Sequence, residues 1–111
     1  MPELDRVIHE PARLLIVALL ATVKEADFLF LLHATELTKG NLSTHLAKLE
    51  EAGYVEIQKA FRGKIPLTLA RLTREGLVAF ESYRKEMAEL LKVRRHSGRA
   101  ALNRSVTVTA R

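Results

Sequence analysis

The chain has 111 residues, 48% of them apolar and 28% charged, and no cysteine. That is enough for one domain with one core, and it excludes disulfides, thiol nucleophiles and cysteine-based metal sites. The net charge of +5 arises at the C-terminal end: from Lys92 onward there are six basic residues (Lys92, Arg94, Arg95, Arg99, Arg104, Arg111) and no acid, leaving 12 basic against 13 acidic groups before it.

Leu4, Val7 and Ile8 have i, i+3, i+4 spacing and predict a short first helix. Pro11 suits the opening position of a second helix, running to about Val23. Its segment "ARLLIVALLATV" is apolar nearly all round, which predicts a central helix. It falls short of the roughly 20 apolar residues that span a bilayer. Glu3, Asp5 and Glu10 ahead of it argue against a secretion signal, so a cytoplasmic protein is expected. "KEAD" predicts a turn, and "FLFLLHATEL" a third helix with Asp27 near its start. The aromatics Phe28, Phe30, Phe61 and Phe80 are assigned to the core.

Thr38 is a candidate N-cap for a helix over about 39–52. Leu42, Leu46 and Leu49 form its inner stripe, while Asn41, Thr44 and Lys48 share another face, flanked by Lys39, Ser43 and Ala47. Gly53 is placed to end it as a left-handed C′ residue. "YVEI" alternates, "KAFRGKIP" is a basic turn containing Gly63, and "LTLARLT" alternates again, which together predict a β-hairpin. Pro66 predicts an edge position for its second strand. Thr73 can cap a last long helix bearing Leu77, Phe80, Tyr83, Met87 and Leu90 at 3-4-3 steps. From about His96 the composition predicts little order. The expected division is a domain over 1–93 and a basic tail over 94–111.

Helix, helix, turn, helix, hairpin, helix is the winged helix-turn-helix arrangement, a mainly α fold with a small β-hairpin. "GNLSTHLAKLEEAGYVEIQKAFRGKIPLT" resembles the compact winged-helix transcriptional regulators related to the MarR and ArsR groups. In those, Gly-Asn-Leu-Ser, His-Leu, Leu-Glu, Ala-Gly-Tyr-Val and a Lys-x-Phe-x-Gly hairpin recur in this order. The likeness extends through "LDRVIHEPARL" and "LTREGLVAFESY", covering about residues 4–91.

The resemblance implies a sequence-specific regulator of double-stranded DNA, with the helix over 39–52 in the major groove. Gly40 would let the backbone approach, and Lys39, Asn41, Ser43, Thr44 and Lys48 would meet phosphates or base edges. Lys59, Arg62 and Lys64 of the wing, about 59–66, would contact the flanking backbone or minor groove. The last helix has two readings: it packs back on its own domain, or its apolar edge pairs with a second copy. The resemblance favours the second, a homodimer built from the terminal helices, and the apolar positions place Leu4, Val7, Ile8, Leu77, Phe80, Tyr83, Met87 and Leu90 at its interface. A cleft between subunits can admit a small-molecule effector, although no residue set identifies one.

Plainer readings stand beside these. Asn41, Ser43 and Thr44 also suit a solvated helix start, Gly40 a tight turn, and the wing cations an exposed edge. His45 reads as a partly buried structural histidine. His9, His33, His45 and His96 lie far apart, so no metal or cofactor is expected. No nucleophile–base pair or phosphate loop appears, and no enzyme is expected. The neutral body favours a second function, a winged helix that binds proteins, since one fold hosts both. RNA binding is a third.

Overall fold

The computed structural model describes residues 3–105, with side chains described over residues 3–92. Its elements are α1 (Pro11–Leu20), β1 (Ala26–Asp27), α2 (Phe28–Thr35), α3 (Lys39–Glu51), β2 (Val55–Arg62), β3 (Ile65–Leu72) and α4 (Arg74–Ser105). They form a winged helix: a helical layer against an antiparallel sheet of order β1-β3-β2.

The core joins Ile16, Val17 and Leu20 of α1, Leu31 of α2, Leu42, Leu46 and Leu49 of α3, and Val55 and Ala70 of the sheet. Each fully buried aliphatic side chain contributes roughly 1.5–3 kcal/mol of transfer free energy. The expected leucine stripe of α3 is therefore its seat. Polar caps fix the helix starts. Glu10 accepts from the N–H groups of Ala12 and Arg13, Asp27 from Phe30 at 2.7 Å, and Thr38 from Asn41 at 3.1 Å.

α3 ends in a Schellman motif. Gly53 has φ +83°, its N–H donates to the Glu50 carbonyl, and the Tyr54 N–H donates to the Leu49 carbonyl, both at 2.9 Å. The start of α4 is locked onto this motif. The Thr73 N–H donates to the Tyr54 carbonyl at 2.9 Å, and its hydroxyl donates to the Gly53 carbonyl at 2.6 Å. The same hydroxyl accepts from the Gly76 N–H at 3.0 Å, which makes Thr73 the expected cap.

Several expectations are corrected. Residues 4–8 are not helical: Asp5 Oδ1 accepts from the N–H groups of Val7 and Ile8, a local bond that competes with helix formation. α1 stops at Leu20, where the Thr22 hydroxyl takes the Leu19 carbonyl. The expected turn at "KEAD" contains β1, whose Ala26 and Asp27 pair with Ala70 and Leu69. β3 is consequently the central strand rather than an edge. Pro66 is tolerated because β1 does not reach it and it faces only Phe61 of β2.

α4 continues through Ser105, past the expected onset of disorder at His96. Arg99, Ala100, Ala101 and Leu102 are good helix formers, and a lone Gly98 costs only about 1 kcal/mol. Tail positions 106–111 lie outside the described residues. Phe30 (46% exposed) and Phe61 (72%) are not core residues, whereas Phe28 and Phe80 pack against the core as expected.

Gly76 is where the fold tolerates least. A Cβ there would lie 2.2 Å from the Tyr54 carbonyl oxygen and 2.8 Å from Leu72 Cδ1. Gly76→Ala must displace α4 from the end of α3, so a loss of about 1–3 kcal/mol is expected in urea unfolding. Unchanged stability would mean that the helix start is not seated on that carbonyl.

Candidate nucleic-acid interface

Burying the leucine stripe turns the opposite surface of α3 outward. Lys39, Gly40, Asn41, Ser43, Thr44 and Lys48 are all exposed. The first turn is thin, because Gly40 has no side chain and the residues after it are small or polar. Gly40 has a negative φ, and a Cβ built on it would meet nothing within 4 Å. Nothing within the fold therefore requires glycine there. The N–H groups of Lys39 and Gly40 have no hydrogen-bond partner among the described residues, as at any free helix start.

The wing rises beside this helix. Val55, Ile57, Lys59 and Phe61 of β2 alternate onto one face of the hairpin, opposite Leu72, Ala70, Thr68 and Pro66 of β3. Val55 and Ala70 are buried at its base. Further out, Ile57, Lys59 and Thr68 face Ser43, Ala47 and Glu50 of α3 across a groove of about 380 Å³. The structure thus brings two expected site residues, Ser43 and Lys59, to one groove. Lys59 Nζ donates to Thr68 Oγ1 at 2.9 Å, which cross-links the two strands. Gly63 has φ +64° and begins the two-residue turn between the paired Arg62 and Ile65.

Lys39, Lys48, Lys59, Arg62 and Lys64 are exposed, and none is ion-paired among the described residues. The one acid on β2, Glu56, lies on the other face of the hairpin and is paired with Arg71. Among the described residues no group of carboxylates and histidines could hold a metal, and no helix is long and apolar enough to cross a membrane.

His45 takes the structural role. Its Nδ1 lies 3.2 Å from Glu10 Oε2 and 3.3 Å from Arg13 Nη1. One nitrogen cannot serve both. An ionised carboxylate only accepts, and Arg13 already donates through Nε to the Val7 carbonyl at 2.6 Å, so we assign the Nδ1–H bond to Glu10. The bond ties α3 to the start of α1.

Other positions depart from expectation. Ile8 and Tyr83, expected at a subunit interface, are 0% and 4% exposed within the single chain. Tyr83 Oη also lies 2.7 Å from His9 Nδ1. Val7 and Phe80 pack against the chain's own core, Leu4, Met87 and Leu90 are half-buried, and Leu77 is exposed. Val78 and Leu91, outside the expected stripe, are exposed at 59% and 58%. Sequence reasoning also missed Glu36, a non-glycine residue at φ +58° that caps α2 and turns the chain into α3.

Burial opposes ionisation of Glu10. The N–H of Ala12, a charged His45, and the N–H and guanidinium of Arg13 outweigh it, and the carboxyl titrates below its ordinary value of 4.5. A depressed folded-state pKa gives stability that is present above the unfolded value and lost as pH falls through the folded one. The wild type should thus lose stability on acidification below pH 4.5, and Glu10→Gln should flatten that part of the curve. Superimposable acid limbs in thermal melts would remove Glu10 from the account.

Residues 12–91 match the model of the family described as winged helix DNA-binding domain. An uncharacterized protein of Methanocaldococcus jannaschii is 38% identical over 88 residues, covering 78% of this chain and 95% of that protein. The structure of a transcriptional regulator homologue from Pyrococcus horikoshii is similar at TM-score 0.75 and 25% identity, covering 79% of this chain and 87% of the other. That of a MarR-family regulator from Enterococcus faecalis is similar in fold at TM-score 0.72 and 18% identity, covering 84% of each chain.

Proposed function

This chain belongs to the winged helix DNA-binding domain family, and on that premise we propose that it is a homodimeric, sequence-specific transcriptional regulator. It places the first turn of α3 in the major groove of duplex DNA and the β2–β3 wing on the flanking backbone or minor groove. The observation that carries this reading is the set of five exposed cations on α3 and the adjoining wing that are unpaired among the described residues. Phosphate contacts of that kind orient a protein on DNA, and base-edge contacts specify the site. Asn41 and Thr44 lie one turn apart or less on the exposed side of α3, where an asparagine can pair bidentately with adenine.

Gly40 separates fold from function. Gly40→Ala should leave the fold intact or stabilise it by up to about 1 kcal/mol, because alanine is the better helix former and the site is open. The added methyl should nonetheless weaken binding where the backbone meets DNA. Asn41→Ala should cost roughly 1–3 kcal/mol on a preferred site and much less on random duplex. Fluorescence anisotropy on both duplexes reads these effects. Full affinity in Gly40→Ala would place the helix start away from DNA.

The assembly rests on α4. At 1.5 Å per residue its 32 residues run about 48 Å, well beyond the layer they cap. The helix exposes Leu77, Val78 and Leu91, with Met87 and Leu90 only half-covered. Pairing with a second copy would bury these side chains in an isologous contact. It would set two α3 helices about one DNA turn, roughly 34 Å, apart on a pseudo-palindrome. Met87→Glu should then yield monomers of unchanged helix content, because a buried unpaired carboxylate is costly. Sedimentation showing a monomeric wild type at micromolar concentration contradicts the dimer.

A further inference from the structure

We propose that the wing is a wedge: Phe61 enters the minor groove flanking the site and opens a base step, bending the duplex. The inference rests on the DNA-binding reading above and adds to it a residue that deforms the DNA.

Burial falls steadily along the face that carries Phe61. Val55 is 2% exposed, Ile57 half-buried, Lys59 exposed and Phe61 72% exposed. The strands have outrun the core by that point, and the aromatic ring has only Pro66 opposite it. Ile65, on the other face of the hairpin, is 63% exposed. The tip therefore wears an apolar residue on each side. No residue from 57 to 70 is acidic, while Lys59 shares the face of Phe61, Arg62 lies on the opposite face and Lys64 is in the turn.

A tip that carries exposed apolar residues and cations without acids fits a partner that offers both negative charge and apolar faces. A nucleic-acid duplex does so, with phosphates lining the groove and base faces stacked between them. Apolar side chains inserted between base steps from the minor groove partly unstack them and kink the helix. The minor groove is about 6 Å wide, too narrow for a helix or a whole ribbon but open to one side chain that projects from a hairpin tip. The hairpin is stiff enough to act this way: its ladder runs unbroken from Val55↔Leu72 to Arg62↔Ile65, the Lys59–Thr68 hydrogen bond ties the strands, and Gly63 closes a two-residue turn. Pyrimidine–purine steps are the easiest to unstack, so the wedge favours TpA or CpA in the flank without any hydrogen bond to a base.

The test uses the full chain and a duplex of roughly 30 base pairs selected by that chain from a random-core library. 2-Aminopurine is placed at each flanking step in turn, and fluorophores at the two ends report bending. The wild type should raise 2-aminopurine fluorescence about threefold at one flanking step and bend the duplex by roughly 20–90°. Phe61→Ala should abolish both signals and equalise affinity between TpA and GpC flanks. Arg62→Ala should weaken binding to every flank alike and keep the fluorescence rise. Thermal melts of the two variants check that both remain folded. Tight binding by the wild type with no fluorescence rise at any step, or with a rise unchanged by Phe61→Ala, overturns the wedge and leaves the DNA-binding reading intact. Failure of the wild type to select or bind any duplex overturns both.

Discussion

The burial of one stripe of α3 governs the rest of the molecule. Leu42 and Leu49 are 0% exposed and Leu46 is 5% exposed, closed in by α1, α2 and the sheet. A helix has one period, so fixing these three side chains fixes where every other side chain on it points. Lys39, Asn41, Ser43, Thr44 and Lys48 face outward because the leucines face inward. Truncating any such leucine removes roughly 2–5 kcal/mol, and with it the orientation of the whole exposed surface. The Glu10–His45 bond and the Thr38 cap refine that placement; the leucines set it.

The second element of the interface is positioned from the other end of the same helix. Gly53 reverses the chain, Tyr54 follows, and β2 departs at once beside α3. Thr73 and Gly76 then clamp the start of α4 onto that reversal. Helix, wing and the long α4 meet at one small junction of backbone carbonyls. Tyr54 adds a link to the N-terminal segment: its hydroxyl donates to Asp5 Oδ2, and that bond, with burial and the nearby charges of Asp5 and Glu75, pushes the phenol up to about 12.

Legibility in the sequence follows the range of the interactions. The α3 stripe, the Thr38 and Thr73 caps and the Gly53 terminus were readable because each obeys a rule spanning a few residues. β1 was not, since two residues make a strand only by pairing with Leu69 and Ala70, more than forty positions away. Leu4, Val7 and Ile8 imitate helical spacing, but the Asp5 side chain captures the N–H groups a helix would need. Phe61 read as core because its residue type is usually buried; its exposure depends on how far the hairpin outruns the helices. The cations of the candidate interface were legible as residues. Their freedom from ion pairs was not, because it depends on Arg71 pairing with Glu56 on the opposite face. Burial along α4 was less legible: a 3-4-3 stripe marks one side of a helix, and within the single chain that side holds the buried Tyr83 and the exposed Leu77 alike.

The central claim is that α3 and the wing present their cations to the phosphates of one duplex. The most direct measurement is the salt dependence of duplex affinity for the wild type and for a variant with Lys59, Arg62 and Lys64 all changed to alanine. Each neutralised phosphate contributes about −0.9 to the log–log slope. Removing three wing contacts should therefore make the slope shallower by about three units per protomer. Comparing the two proteins cancels any contribution from the basic C-terminal residues they share. Equal slopes for the two would contradict the account, because the wing would then lie off the DNA.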